Sequence, residues 1–150
     1  MYATKNWTLL AFIAGLFEGE GTVTISGGGA KPYTRLIACM ANTNRDLVEI
    51  LQRHWPATRI TQRKRKPGQQ DTFEWRITSH RASLFLLDIQ PFALSDRMAR
   101  RIALGLRSQA ARQRGRRRLV AEYRQMHEDF RAEMRVLNRR GKAPAPEGSR

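Results

Sequence analysis

Two carboxylates, Glu18 and Glu20, stand at the end of an apolar run, Leu9-Leu10-Ala11-Phe12-Ile13-Ala14-Gly15-Leu16-Phe17-Glu18-Gly19-Glu20-Gly21. The run reads as a helix, because Leu9, Leu10, Phe12, Ile13, Leu16 and Phe17 cover nearly all its faces and Gly21 is placed to stop it. The last turn of a helix carries the negative end of its dipole, where an acid costs a few tenths of a kcal/mol or more. Something positive is therefore expected beside these acids. No other acid or thiol cluster competes for attention. Cys39 is the only cysteine, which excludes an intrachain disulfide and a cysteine-based zinc site, and His54, His80 and His127 show no metal-ligand spacing.

The elements that must position the acids follow in order. Thr22 to Ser26 alternates polar and apolar as a half-buried strand, and residues 33 to 41 read as a second strand, forming a hairpin with the first. Thr43-Asn44-Arg45-Asp46 opens a helix that Pro56 ends, with Thr43 and Asn44 suited to capping. A third strand is expected over about Thr58 to Arg65, a turn at Pro67-Gly68-Gln69-Gln70, and a fourth strand over Thr72 to Thr78. In the fourth, Phe73, Trp75 and Ile77 share the packed face, while Thr72, Glu74, Arg76 and Thr78 share the polar one. Ser79 can cap the next helix, which Pro91 closes, and Ser95 can start another. The order is αββαββαα.

Ala11 and Gly15, beside Ala14, are small residues at the spacing that lets a second backbone approach. Mid-helix glycine costs about 1 kcal/mol relative to alanine, and close approach is a reason to retain it.

Charge narrows the partner. The chain of 150 residues carries 28 Lys and Arg against 13 Asp and Glu, a formal charge of +15. That balance points to a polyanion. Membranes compete poorly, since no segment supplies the roughly 20 apolar residues needed to span and the basic helices are less apolar than interfacial anchors. With one cysteine and no signal-peptide pattern, an intracellular location is expected.

From residue 116 the character changes. Arg116-Arg117-Arg118 precedes Leu119, Tyr123, Met126, Phe130, Met134 and Leu137 at helical spacing. The expected division is a domain over 1–112, a basic amphipathic helix over 113–140 and a disordered tail over 141–150. The apolar stripe needs burial, so packing of this helix on its own domain ranks above pairing with a partner or reaching flanking DNA.

The segment Ile13-Ala14-Gly15-Leu16-Phe17-Glu18-Gly19-Glu20-Gly21 resembles the motif of LAGLIDADG homing endonucleases, with acids conservatively exchanged, and the element order over about residues 5 to 110 is similar to one domain of that family. The resemblance implies an α+β fold, αββαββα with an antiparallel DNA-binding sheet, here followed by a C-terminal helical extension. It implies site-specific hydrolysis of both strands of a long, partly palindromic duplex. A single motif implies a homodimer whose two motif helices meet at the twofold axis, with Ala11, Ala14, Gly15 and Glu18 at the interface. Two acids brought together there repel unless a cation lies between them. The implied cofactor is a divalent metal, Mg²⁺, held by Glu20 as the catalytic acid and by the backbone carbonyl of Gly19.

Many relatives carry a lysine a few residues beyond the Pro-aromatic pair that here is Pro91-Phe92. This chain has Asp96 near that place, leaving Arg97 and Arg100 as candidates for the basic catalytic partner.

A twisted antiparallel ribbon fits the major groove. Its outward positions are Arg59, Thr61, Arg63 and Arg65 on one strand and Glu74, Arg76 and Thr78 on the next, extended by Thr22, Thr24, Ser26 and Arg35. Lys64 and Lys66 near the turn suit phosphates. Two rival functions share these features: a DNA-binding regulator without the chemistry, and a splicing maturase with intron RNA as its partner. Retention of both Glu18 and Glu20 favours the nuclease over the regulator.

Overall fold

A computed structural model describes residues 6–27, 34–57, 59–114 and 121–139. Tyr33 and Thr58 of the expected strands, the Arg116–Arg118 run, Leu119 and the tail expected at 141–150 lie outside the described residues.

The expected α+β order is present. The chain runs α1 (Trp7–Glu20), β1 (Gly21–Gly27), β2 (Thr34–Asn42), α2 (Arg45–His54), β3 (Thr61–Arg63), β4 (Thr72–Thr78), α3 (Ser79–Ile89), a 3₁₀ turn (Gln90–Phe92), α4 (Asp96–Arg114) and α5 (Ala121–Asn138). The four strands form one antiparallel sheet in the order β1-β2-β4-β3. Alternation fixes its two faces. Val23, Ile25, Leu36, Ala38, Met40, Trp75 and Ile77 are buried beneath the helices, and Val23 lies opposite Ala38, which lies opposite Ile77.

The core centres on Phe85 of α3, whose ring meets Phe17, Trp55 and Trp75 edge-on at centroid distances of 5.0, 5.1 and 5.0 Å. Such pairs add about 0.5–1.5 kcal/mol each beyond burial. α4 lies close over the sheet at Gly105, where a Cβ would come within 2.8 Å of Leu36 Cδ1 and 3.2 Å of Val23 Cγ1. Any larger residue there would push the helix off the sheet.

α5 packs on its own domain, as its apolar stripe predicts. Met134 and His127 are buried, His127 Nδ1 and Thr34 Oγ1 are 2.6 Å apart, and Asn138 donates from Nδ2 to the Val23 carbonyl at 2.9 Å.

Three local readings are corrected. β3 spans only Thr61–Arg63, not residues 58 to 65, so Arg59, Lys64, Arg65 and Lys66 lie off the ladder. It is an edge strand whose residues are all exposed, and the Asp71 carboxylate accepts the Arg65 backbone N–H at 3.2 Å, drawing it away from strand pairing. α1 is buried along one side only, by Leu10, Ile13, Ala14 and Phe17. Gly21 ends α1 as expected, in an extended conformation with φ −86°; its hydrogen takes room that a Cβ would need, because that Cβ would lie 2.3 Å from the Phe17 ring. Ser79 is the first residue of α3 rather than its cap, at φ 54°, and its hydroxyl accepts from Arg112 at 2.9 Å.

Candidate functional site

α1 begins where the Asn6 side chain accepts the Leu9 N–H at 3.0 Å and ends at Glu20 with no basic residue in its last turn. The positive partner expected there is backbone. Glu18 accepts the N–H groups of Leu94 and Ser95, each at 2.9 Å, just ahead of α4. Ser95 in turn accepts the Met98 N–H at 3.2 Å and caps that helix. A carboxylate on paired amides at a helix start is electrostatically favoured. The end of α1 is thereby fixed to the start of α4, and Glu18 is engaged within its own chain.

Around this junction lies a hollow lined by Glu18, Gly19, Gly21, Ser95, Arg97, Met98 and Arg101. Arg97 donates from Nε to the Leu137 carbonyl at 2.9 Å and from Nη2 to the Arg139 carbonyl at 3.0 Å. Arg101 donates to the Leu137 carbonyl as well, at 2.9 Å from Nη2. The two guanidiniums complement the negative end of α5. Of the residues expected at the chemistry, Gly19 and Arg97 therefore share one hollow. Glu20 is exposed at the helix terminus beside it, and Arg100 is exposed on α4 outside the hollow's lining.

The outer side of α1 carries Thr8, Ala11, Phe12, Gly15 and Gly19, all exposed. A Cβ at Gly15 or Gly19 would meet nothing within 4 Å, so the fold of this chain does not demand glycine at either position. Phe12 is 49% exposed and Trp7 61%. Ala14, expected on this surface, is buried in the core instead: it flanks the exposed row on the side of α1 that carries Ile13 and Phe17.

The second feature is the sheet face turned away from the helices. Thr22, Thr24 and Ser26 of β1 stand opposite Cys39, Ile37 and Arg35 of β2; Ile37, Cys39 and Ala41 stand opposite Thr78, Arg76 and Glu74 of β4; and Thr61 and Arg63 of β3 stand opposite Glu74 and Thr72. The outward set expected from alternation is thus brought onto one surface, apart from the shortened β3. Arg59, Thr61, Arg76 and Thr78 also line a common hollow with Arg81 at the end of the sheet. Sequence reading missed Ile37, Cys39 and Ala41, which counting by twos from Arg35 would have found. Burial pushes the Cys39 thiol pKa up, with the Glu74 carboxylate adding to it.

Asn42 and Asn44 serve backbone geometry. Asn42 accepts the Asn44 N–H at 2.8 Å, and Asn44 caps α2 through the Asp46 N–H at 3.0 Å.

Residues 7–90, more than half of the chain, match the family model of the LAGLIDADG-like domain. The chain belongs to the LAGLIDADG homing-endonuclease family. Solved LAGLIDADG structures share its fold. Homing endonuclease I-CvuI, solved in complex with the I-CreI target in the presence of 2 mM Mg, is 14% identical, with 91% of this chain and 85% of that one covered and a TM-score of 0.68. The archaeal intron-encoded homing endonuclease I-Vdi141I, complexed with DNA, is 17% identical over 89% of this chain and 86% of that one, at a TM-score of 0.69. Homing endonuclease I-TnaI is 17% identical over 88% and 89%, at 0.62. No curated protein matches the chain. The segment that resembles the LAGLIDADG motif is the second half of α1, and it lies within the matched residues together with all four strands of the sheet. No helix among the described residues is long and apolar enough to cross a membrane.

Proposed function

We propose that this LAGLIDADG chain is one protomer of a homodimeric, divalent-metal-dependent endonuclease that makes a double-strand break in a long, partly palindromic DNA site. The observation that carries the reading is the outer side of α1. A helix whose other side is core exposes Ala11, Phe12, Gly15 and Gly19 in a row that its own chain leaves uncovered, and that row ends at an exposed carboxylate. A second copy of α1 is the natural cover, since closed twofold pairing joins identical surfaces. The paired helices would carry one Glu20 each to the dyad.

The donor chemistry fits a hard cation. Among the described residues of one chain, no three His, Cys, Asp or Glu side chains are grouped to hold a metal. What α1 offers is the Glu20 carboxylate and the carbonyls of its last turn, including that of Gly19, which lack helical partners. Oxygen donors in small number, completed by water and phosphate, suit Mg²⁺. When bound, such a cation supplies Lewis-acid activation of water and stabilises a leaving oxygen. Glu20 and the Gly19 carbonyl would hold it. Arg97, oriented by the carbonyls at the end of α5, presents positive charge toward a phosphate beside Gly19, and Arg100 is the alternative on the same helix.

On the sheet face, Thr22, Thr24, Ser26, Arg35, Thr61, Arg63, Arg76 and Thr78 face the bases, with Arg59, Lys64, Arg65 and Lys66 set off the ladder toward the phosphates. Incubating the protein with a randomised duplex library, with and without Mg²⁺, and sequencing the ends tests the reading. Cut ends at a recurrent, partly symmetric sequence are expected only with the metal. Glu20→Gln should abolish cleavage and leave binding intact. Binding by the wild-type protein without cut ends under any divalent cation would overturn the nuclease reading in favour of a regulator.

A further inference from the structure

Glu74 is the one acid among the outward residues of β4, and both of its carboxylate oxygens are engaged by arginines. Its Oε2 accepts a hydrogen bond from Arg63 Nη2 at 2.6 Å, and its Oε1 forms an ion pair with Arg76, 3.0 Å from Nε. The Glu74 side chain is 12% exposed, against 59% for Arg63 and 48% for Arg76. The acid therefore lies beneath the two cations rather than level with them. The register explains the placement. Arg63 stands opposite Thr72, which makes Glu74 its diagonal neighbour on the same face, and Arg76 follows Glu74 by one step on that face. Diagonal and same-face neighbours are about 7–8 Å apart, within reach of long side chains.

We propose that Glu74 is a positioning residue for DNA reading, which touches no base itself and sets specificity by fixing the guanidiniums of Arg63 and Arg76; this rests on the sheet face being the DNA-binding surface. An arginine has many rotamers, and one already ordered loses less freedom when it binds. The two contacts also differ in kind. Arg76 meets Glu74 through Nε, so its two terminal nitrogens remain available as a fork that can pair with O6 and N7 of guanine. Arg63 is held through a terminal nitrogen, so one prong of its fork is occupied. Arg76 is thus the guanine reader and Arg63 a single-bond or phosphate contact. A carboxylate reading a cytosine amine directly would need to stand at the level of the arginine tips, which its low exposure denies.

The experiment selects bound duplexes from a randomised library with the full chain and sequences them for wild type, Glu74→Gln, Arg63→Ala, Arg76→Ala and Glu74→Gln/Arg76→Ala, with thermal unfolding of each. Glu74→Gln keeps the side-chain shape and removes the charge. The expected result is a loss of guanine preference of about fivefold or more at the same base pair that Arg76→Ala affects. At that base pair the double variant should be no worse than Arg76→Ala alone, and binding to non-specific duplex should be undiminished. An unchanged profile for Glu74→Gln beside an altered one for Arg76→Ala would overturn the positioning role alone. So would a change confined to a base pair that neither arginine variant affects, which would make Glu74 a direct contact. Loss of sequence preference in no variant, with none in the wild type, would instead remove the DNA-reading surface on which the proposal stands.

Discussion

Glu18 and Glu20 are the same residue type two positions apart, and their surroundings give them different work. Glu18 accepts two backbone N–H groups at the start of α4, so its charge is used within the chain. Glu20 is exposed at the helix end, and under the proposed function its carboxylate is the metal ligand. Gly21, beside it, answers to sterics. An added Cβ would lie 2.3 Å from Cδ2 and 2.4 Å from Cγ of Phe17, a ring with no exposed surface and therefore no room to retreat. Gly21→Ala should lower stability by about 1–3 kcal/mol, the usual cost of overpacking. Chemical denaturation measures it, and an unchanged midpoint would show that the ring can move aside.

At the scale of the element, α5 is tied down in its first half and at its C-terminus. His127 bonds Thr34 on β2, Asn138 bonds the Val23 carbonyl of β1, and Arg97 and Arg101 bond the carbonyls at its C-terminus. The helix thus orients Arg97 beside the acid-bearing end of α1. Burial lowers the His127 pKa below its ordinary value, and Arg112 adds to the effect. The folded state therefore favours the neutral ring. This contribution to stability is fully present above the unfolded pKa of about 6.5 and is lost as pH falls through the lower folded value. Thermal unfolding followed from pH 7 to pH 5 should show a decline that His127→Gln, which retains hydrogen-bonding capacity without titrating, reduces. An equal decline in that variant would assign the pH dependence elsewhere.

For the whole molecule, the proposed homodimer would set stability and assembly against each other at Gly15. Within one chain a Cβ there would meet nothing within 4 Å on an exposed stretch of α1, and replacing glycine inside a helix gains up to about 1 kcal/mol. Against a second α1 the same side chain would overpack by about 1–3 kcal/mol, about tenfold or more in dissociation constant. Gly15→Leu should therefore leave the unfolding midpoint of the isolated chain unlowered while sedimentation shifts from dimer to monomer and cleavage falls with it. A variant that remains dimeric would remove α1 from the interface.

What the residues determine alone is local and periodic. The alternation Phe73, Trp75, Ile77 against Thr72, Glu74, Arg76 fixes which face of β4 is inward, because a pleated strand has period two and a buried face admits no slip. The run from Ile13 to Gly21, taken with the element order and the basic composition, pointed to the family that the match over residues 7–90 shows. Only the tertiary structure decided what neighbours do to those residues. It buried Ala14 and exposed Ala11, shortened β3 by setting Asp71 against the Arg65 amide, joined Glu18 to α4 across more than seventy residues, and placed Glu74 under Arg63 and Arg76. None of these contacts follows from spacing along the chain, because each partner arrives from a different element and the distance between them exists only once the helices lie on the sheet.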